Sequence, residues 1–282
     1  MSKKDGALTL TPEDLRRIQS ILLELLCEVR RVCGLAGIRY AIIAGTMLGA
    51  VRHGGFIPWD DDADVGLLRE DYEAFRAACG KYLDTARFYF QDHTNTPGYR
   101  WGYGKLRRKD SLYVVRGTEH LPYEQGIWID IFPLDSVPDP WLGRAACNLH
   151  CFLLRKLLYA ESGRYRERGA AKRAVYGLLA KVPLEAVLAR YEACIDRRNR
   201  KRTSWVRILM FPTPNISFGY LRSWYEDLSE IAFEGEIFAG VRDYDGYLSF
   251  KFGDYRKLPA PEQRKQHRVS RLKFPGETGD GL

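Results

Sequence analysis

Hydrophobic and polar positions follow a helical period near the start of the chain. Thr11-Pro12-Glu13-Asp14 combines a capping hydroxyl, a proline at the first helical position and acidic residues in the first turn, which is typical of a helix start. The apolar positions that follow recur every three or four residues: Leu15, Ile18, Leu22, Leu25, Val29 and Val32. This spacing predicts a long helix with one buried face, ended by Gly34.

Farther along, short apolar runs alternate with helical patterns. Strands are predicted at 38–44, 87–91, 105–116 and 126–134, and another directly after the aspartates at 60–64. Helices are predicted at 47–51, 69–81 and 244–252, and residues 141–200 are mostly helical with breaks near Gly163, Gly169 and Pro183. Helices flanking a small sheet predict an α+β fold, in one domain over 1–282 with a basic helical insertion at about 141–207.

Composition narrows the class of protein. The 282 residues are 45% hydrophobic and 28% charged, as in an ordinary soluble globular protein. No apolar run approaches the ~20 residues that a membrane-spanning helix needs, and residues 1–6 lack the apolar core of a signal peptide. Six cysteines follow no disulfide-scaffold spacing. These observations predict a cytoplasmic protein with reduced thiols.

The net charge of +8 is concentrated in the predicted insertion. Residues 141–207 hold 16 Lys or Arg and 5 Asp or Glu, a net charge of +11, so the rest of the chain is slightly acidic. A basic block favours an anionic partner. Nucleotide phosphates, an anionic glycan, nucleic acid and an acidic membrane surface all stay open, as does an ordinary solvated helical surface.

The strongest chemical signal is a run of four aspartates within five positions: Asp60, Asp61, Asp62 and Asp64. Carboxylates packed this closely raise one another's pKa unless a cation or hydrogen bonds compensate. On the strand that follows, Asp62 and Asp64 would share one face. Two carboxylates side by side suit a hard cation such as Mg²⁺. A calcium loop is excluded, because its required glycine and glutamate are replaced here by Val65 and Asp71.

A further aspartate, Asp130, lies between Ile129 and Ile131 in a strongly apolar run. A lone carboxylate there is costly to bury unless it meets a cation or several donors. Asp130 is therefore predicted to be either a structural hydrogen-bond hub or a third metal ligand beside Asp62 and Asp64. Three carboxylates around Mg²⁺ suit phosphoryl transfer, in which the metal neutralises phosphate charge.

Five other residues are candidates for binding phosphate. Gly45 and Thr46 follow a strand and open a helix, where free N–H groups and a hydroxyl can seat an anion. Arg52, Lys105 and Arg107 supply cations, and Lys105 and Arg107 would share one strand face. A surface role stays equally open for each of the three cations. Cys147, His150 and Cys151 have a helical spacing that suits zinc, but burial in a helix is favoured because no fourth ligand is evident.

The segment from Gly45 to Asp64 resembles the signature of the LicD family, which is related to fukutin and fukutin-related protein. The likeness continues in Gly126-Ile-Trp-Ile-Asp-Ile-Phe-Pro-Leu-Asp135 and in shorter blocks up to His267. It implies a nucleotidyltransferase-like fold, with a small mixed sheet and flanking helices. It also implies transfer of a phospho-alcohol, best known as phosphocholine from CDP-choline, onto a glycan hydroxyl.

The resemblance also implies roles for particular residues. In that family an Asp-x-Asp pair and a later strand aspartate hold Mg²⁺, with Mn²⁺ as an alternative, and these positions match Asp62, Asp64 and Asp130. Asp60 matches a further acidic position near the metal, whereas Asp61 is expected to point away and His267 has no assigned role. Together with the phosphate-binding candidates above, Asp60 completes the predicted substrate-binding residues: Gly45, Thr46, Arg52, Asp60, Lys105 and Arg107.

The sequence thus predicts a Mg²⁺-dependent phosphotransferase that moves a phospho-alcohol from a CDP-alcohol to a cell-surface glycan or a lipid-linked glycan precursor, with release of CMP. No nucleic acid partner is expected, and peripheral contact with the inner face of the membrane through 141–207 stays open. One alternative is a true nucleotidyltransferase that moves NMP from an NTP to a small molecule or nucleic acid. Another is a non-catalytic protein that binds a glycan or a membrane.

Overall fold

The computed structural model describes residues 3–4, 7–167 and 169–278. Eight α-helices lie within these ranges: α1 (Pro12–Ala36), α2 (Ala44–His53), α3 (Arg69–Tyr82), α4 (Trp141–Arg166), α5 (Ala170–Leu179), α6 (Leu184–Asn199), α7 (Ser223–Glu226) and α8 (Tyr244–Phe252). The same ranges contain thirteen strands: β1 (Lys3–Lys4), β2 (Ala7–Leu8), β3 (Ala41–Ile42), β4 (Asp64–Leu68), β5 (Phe88–Gln91), β6 (Gly104–Arg108), β7 (Leu112–Val115), β8 (Trp128–Val137), β9 (Trp205–Arg207), β10 (Tyr220–Leu221), β11 (Leu228–Phe233), β12 (Glu236–Val241) and β13 (Val269–Lys273).

Nine of these strands form one mixed sheet at the centre of the fold. The main path runs β10-β9-β8-β4-β3-β12-β11, and β5 and β6 branch from it. The long strand β8 makes this branch possible, because β6 pairs with its first half and β9 with its second half along the same edge. On the other edge β8 runs parallel to β4. The predicted α+β class, with a mixed sheet and flanking helices, is confirmed.

Helix α1 shows how local sequence sets an element that packs on the sheet. The Thr11 hydroxyl accepts the N–H of Asp14, and the Asp14 carboxylate accepts the N–H of Thr11, so the predicted start is a full capping box. The helix continues past Gly34 to Ala36. It ends there because Gly37, with φ of 67°, takes the left-handed conformation that closes a helix. Its buried face includes Ile18, Leu22, Leu25 and Val29.

Two predicted strands differ from the structure in ways that matter for the site. The run 38–44 forms only the two-residue strand β3, and the following helix α2 begins already at Ala44. The run 105–116 is divided near Asp110, whose φ of 55° interrupts extended backbone, into β6 and β7. Strand β7 then leaves the central sheet and pairs with β13. This pairing brings the segment around His267 next to the aspartates.

The segment predicted to be a helical insertion forms α4, α5 and α6. Helices α4 and α6 pack on the second half of β8 around a separate apolar cluster that includes Val137, Cys151, Leu158 and Tyr191, and α5 packs on α4. The break predicted near Gly163 does not occur, since α4 continues to Arg166. Glycine is needed at this position because a Cβ atom would lie 2.8 Å from the ring of Tyr176 on α5. The single-domain assignment over 1–282 stays a prediction.

The cysteines of this segment lie mainly in its core. Cys147 and Cys151 are fully buried with their sulfur atoms 3.9 Å apart, and Cys194 of α6 has its sulfur 3.9 Å from Nδ1 of His150. All six cysteines of the chain are free thiols. In the part of the chain that the structure describes, none of the helices combines the length and apolar character needed to cross a membrane.

Candidate active site

A cavity of about 280 Å³ opens where β4, β6 and β8 meet. Its polar lining includes the carboxylates of Asp62, Asp64 and Asp130 and the cations of Lys105 and Arg107. Aromatic side chains form much of the remaining wall: Trp101, Tyr103, Tyr113, Tyr123, Trp128, Tyr159 and Phe211. Five of the residues that the sequence predicted for the site thus line one cavity.

Strand register explains why the three carboxylates converge. Asp64 begins β4 and lies directly opposite Asp130 of the parallel strand β8. Directly opposite residues of neighbouring strands point to the same face of a sheet, about 4.8 Å apart. Asp62 lies two residues before β4 begins and lines the same cavity as Asp64. The sheet brings in Asp130 from a distant part of the chain.

The aspartates oppose one another's ionisation in the absence of a cation. Burial, followed by the charges of Asp62 and Asp130, raises the pKa of Asp64 well above its usual range. Burial and the neighbouring Asp62 raise the pKa of Asp60 to about 8. A multivalent cation removes this repulsion, since it favours the ionised carboxylates. The electrostatics are those of a cation site made of oxygen ligands.

Lys105 lies opposite Asp130 in the antiparallel pair of β6 and β8, and its ammonium group forms an ion pair with that carboxylate. The same ammonium nitrogen is 4.2 Å from the centre of the Trp128 ring. Burial lowers the pKa of Lys105 to about 8, although Asp130 acts in the opposite direction. Lys105 is therefore a positive group held beside the carboxylates, with a proton that is easily released.

Arg107 and Arg52 have different positions, although both were predicted to bind phosphate. Arg107 is buried in the cavity wall, where its guanidinium donates to Gln91 Oε1 at 2.6 Å and to the carbonyl of Gly126 at 2.8 Å. Arg52 lies outside the cavity lining and donates to the carbonyl of Tyr255 at 2.8 Å. The structure therefore brings Arg107 to the carboxylates and does not bring Arg52 there.

Gly45 and Thr46 lie next to the aspartate run and help to position it. The Thr46 hydroxyl accepts the N–H of Asp64 at 2.8 Å, which holds the first residue of β4. A Cβ atom at Gly45 would lie 3.0 Å from Oδ2 of Asp60, so glycine leaves room for that carboxylate. Both residues lie in the first turn of α2, as predicted for a phosphate seat. Their contact with phosphate stays a prediction.

Asp61 and His267 are functional candidates that sequence reasoning missed. Asp61 is buried and accepts hydrogen bonds from the Tyr113 hydroxyl, from the His267 N–H at 2.9 Å and from His267 Nδ1 at 3.1 Å. Ligand atoms of Asp61, Asp62 and His267 all lie within 4.8 Å of one another. Asp61 thus points away from the solvent and holds a histidine against Asp62. In the sequence, the signal that could have indicated His267 was the last of the family-like motif blocks, which ends near this residue.

Lys251 is a third residue near the aspartates that the sequence did not indicate. It lies in α8, whose predicted range 244–252 is confirmed, and its ammonium group donates to the Tyr220 hydroxyl at 3.1 Å. Burial opposes its charge, but Tyr247, Tyr220 and the nearby Asp64 raise its pKa overall. The ammonium group of Lys251 is therefore close enough to Asp64 to interact with its charge. In the sequence, Lys251 looks like any other lysine of a helix, so its interaction with Asp64 could not be predicted.

Comparison with known families agrees with this geometry. Residues 37–138 match the family described as LicD/FKTN/FKRP, nucleotidyltransferase domain. Within this range the chain is similar to that nucleotidyltransferase domain. The matched range extends from the residues just before β3 to the end of β8, so it contains all three carboxylates that line the cavity.

Individual relatives match different lengths of this chain. Lipopolysaccharide cholinephosphotransferase LicD of Haemophilus influenzae is 24% identical over 263 residues, which cover 90% of this chain and 96% of that protein. Ribitol 5-phosphate transferase FKRP of mouse and of human is 38% identical over 74 residues, or 25% of this chain and 15% of each relative. These likenesses confirm the predicted family resemblance and the predicted class of enzyme, a LicD-type phosphotransferase.

Proposed function

We propose that the chain transfers a phospho-alcohol, phosphocholine in the first instance, from a CDP-alcohol to a hydroxyl group of a cell-surface glycan or its lipid-linked precursor, with release of CMP. The observation that carries this proposal is the convergence of Asp62, Asp64 and Asp130 in one cavity with Lys105 and Arg107. The likeness to the Haemophilus influenzae cholinephosphotransferase over nearly its whole length supports the choice of group and acceptor.

The residues present fit a divalent cation. Asp62, Asp64 and Asp130 offer only carboxylate oxygens, which Mg²⁺ and Mn²⁺ prefer as ligands. Burial raises the pKa of Asp64, and a bound cation would lower it again by stabilising the ionised carboxylate. Asp60 interacts with Asp62 and Asp64 and would add a further negative charge once a cation is bound. A bound ion would neutralise the diphosphate and lower the pKa of the attacking hydroxyl.

The chain's own side chains then have separate tasks. Arg107, fixed by two hydrogen bonds, and Lys105, held on the Trp128 ring, would bind the donor phosphates at the cavity wall. Asp130 would accept the proton of the acceptor hydroxyl. The hydroxyl oxygen forms a bond to the phosphorus that carries the alcohol, the bond from that phosphorus to the oxygen of CMP breaks, and CMP leaves with the electron pair.

The aromatic wall supports an organic cation as the transferred alcohol. Trp101, Tyr103 and Phe211 line both this cavity and a neighbouring one of about 350 Å³. A quaternary ammonium group is attracted to the faces of such rings. Trp128 is less suitable for this contact, because the ammonium group of Lys105 already lies over its ring. The same ammonium lies 5.5 Å from the centre of the Tyr103 ring, so we assign the choline group to the side of the cavity formed by Trp101 and Phe211.

Release of CMP tests the proposal directly. The purified protein is incubated with Mg²⁺ and, separately, CDP-choline, CDP-ribitol and CDP-glycerol, with CTP as the comparison donor. We expect slow CMP release from one CDP-alcohol, stimulated by acceptor glycan and lost in Asp62→Asn and Asp130→Asn. Pyrophosphate release from CTP, without CMP from any CDP-alcohol, would instead support nucleotidyl transfer.

A further inference from the structure

Exposed hydrophobic side chains are concentrated in α4, α5 and the turn that follows. Among the described residues, 16 large hydrophobic side chains are exposed, and nine of them lie within 141–182. This range is a small part of the chain, so the distribution is strongly uneven. A contiguous exposed apolar surface of this kind marks an interaction site more often than a solvated surface.

Three exposed leucines of α4 form one stripe. Leu142, Leu149 and Leu153 are separated by seven and four residues, which places them on the same side of the helix. The buried residues Cys147 and Leu154 have the opposite orientation and face the second apolar cluster. Helix α4 is therefore apolar on two sides: one packs on the protein, and the other faces solvent.

Helix α5 covers only the second half of this outer side of α4. Its Tyr176 packs on Gly163 and on the ring of Tyr159, with the centres of the two rings 5.4 Å apart. Residues Val175, Leu178 and Val182 recur at three and four residues and are exposed. The uncovered first half of α4 and the outer side of α5 thus offer two neighbouring apolar stripes.

Positive charge accompanies these stripes. Lys172, Arg173 and Lys181 are exposed on or directly after α5, and Arg155 and Lys156 are half-buried on α4, whereas Arg144 is buried. Residues 141–182 contain Glu161 and Glu167 as their only acidic residues. The wider range 141–207 has the net charge of +11 noted above. Helices with an apolar side and basic flanks lie in the interface of anionic bilayers, with the apolar side among the acyl chains.

The position of these helices relative to the active site is consistent with such a contact. A cavity of about 1030 Å³ lies between α5 and the strands, lined by Arg116, Arg166 and Lys172 among others. Tyr159 and Arg166 of α4 line both this cavity and the one that contains the carboxylates. A basic opening therefore leads from the side of α5 towards Asp62, Asp64 and Asp130.

We propose that the outer faces of α4 and α5 bind an anionic lipid bilayer, with Leu142, Leu149, Leu153 and Leu178 inserted among the lipids. The basic opening then faces the membrane surface, where a lipid-linked acceptor would be presented. The bilayer contact is inferred only from the surface of α4 and α5, whereas the presentation of the acceptor rests on the proposed function. A bilayer explains the combination of exposed leucines with an excess of cations, whereas a second copy with the same positive charge would be repelled.

Vesicle binding tests the proposal. The full chain is sedimented with vesicles of phosphatidylcholine and with vesicles of equal parts phosphatidylcholine and phosphatidylglycerol. We expect binding to the anionic vesicles, weakened by added salt, and weaker binding to the neutral ones. The double variant Leu149→Ser with Leu153→Ser should bind the anionic vesicles at least about tenfold less tightly, because two inserted leucines are lost.

A matched control uses two leucines elsewhere on the surface. Leu35 and Leu258 are 57% and 51% exposed, close to the 60% and 54% of Leu149 and Leu153. The variant Leu35→Ser with Leu258→Ser should retain wild-type vesicle binding, and both variants should keep the wild-type Tm. An equal loss of binding in the two variants, or no binding by the wild type, would overturn the proposal.

Two further measurements separate this inference from other outcomes. Concentration-dependent dimerisation that is abolished in the Leu149 and Leu153 variant, without vesicle binding, would identify a self-association surface and overturn the bilayer assignment. CMP release from a soluble CDP-alcohol without vesicles should be unchanged in that variant. Loss of vesicle binding with normal CMP release therefore reports on the surface, and loss of CMP release reports on the proposed function.

Discussion

Two aspartates on β8 lie five residues apart and have opposite roles. Asp130 lines the cavity, opposite Asp64, and pairs with Lys105. Asp135 is completely buried and receives two hydrogen bonds from Arg69, at 2.7 and 2.8 Å, and one from Asn199 at 2.7 Å. Because five is an odd number of steps along a strand, the two side chains point to opposite faces of the sheet.

The comparison teaches how to separate a structural carboxylate from a candidate ligand. The charge of Asp135 is neutralised by a bidentate arginine on α3, so the fold itself satisfies it. The aspartates of the other face repel one another, as the raised pKa of Asp64 shows. Within the acidic run the same distinction separates Asp61, which is fully hydrogen-bonded, from Asp62 and Asp64. Asp62 and Asp64 are the carboxylates that the fold leaves in repulsion, and Asp130 beside them is paired with a lysine rather than held by a bidentate arginine.

The largest effect is expected when a repelling carboxylate is neutralised. Asp64→Asn should reduce kcat/KM for CMP release at least about 10³-fold, or about 4 kcal/mol, because a cation ligand is lost. Removing a charge whose pKa is raised should leave the Tm of the metal-free protein unchanged or higher. Calorimetry with and without Mg²⁺ adds a second readout, since Mg²⁺ should stabilise the wild type and not the variant. A destabilised variant that still responds to Mg²⁺ would contradict this assignment.

The opposite result is expected on the other face of β8. Asp135→Ala removes the bidentate partner of the buried Arg69, which keeps an ion pair with the partly exposed Glu73, and should lower the free energy of unfolding by about 3 kcal/mol, measured by urea denaturation. The kcat of the molecules that remain folded should change little. Replacing both partners, Arg69→Met with Asp135→Leu, should restore much of the stability, because no charge is then left unpaired. Full stability of the single variant would remove the contrast between the two aspartates.

A smaller effect is expected from the carboxylate that holds His267. Asp61→Asn retains the size of the side chain but loses the charge that fixes the histidine beside Asp62. We expect a 10- to 100-fold decrease in Mg²⁺ affinity or in kcat, as for other groups that orient a metal site from outside. His267→Asn should give a loss of similar size, and the double variant should be little worse than either single one. Additive losses would show that the two residues act independently.

The smallest effect is expected at Arg52, for which the structure and the sequence prediction differ. Since its guanidinium donates to the carbonyl of Tyr255, Arg52→Met should cost about 1 kcal/mol of stability. The KM for the CDP-alcohol should stay within about threefold of the wild type. Arg107→Met is the comparison, and it should raise that KM about tenfold or more. A large KM effect at Arg52 would restore its predicted phosphate role.

Local features of the fold were accessible from the sequence. The capping box of Thr11 and Asp14 and the helix at 244–252 depend on residues only a few positions apart. Backbone geometry converts such spacings directly into direction, because side chains repeat every 3.6 residues in a helix and every two in a strand. The motif of the LicD family was recognisable for the same reason, since its residues are contiguous.

The completed site depended on contacts between distant parts of the chain. Asp61 and His267 are 206 positions apart, and they meet because β13 pairs with β7. Asp130 lies beside Asp64 through the parallel register of β4 and β8, and Lys251 approaches from α8. No spacing along the chain specifies such neighbours. Strand pairing and helix packing decide them, because burial of the whole core selects one register among many that local sequence allows.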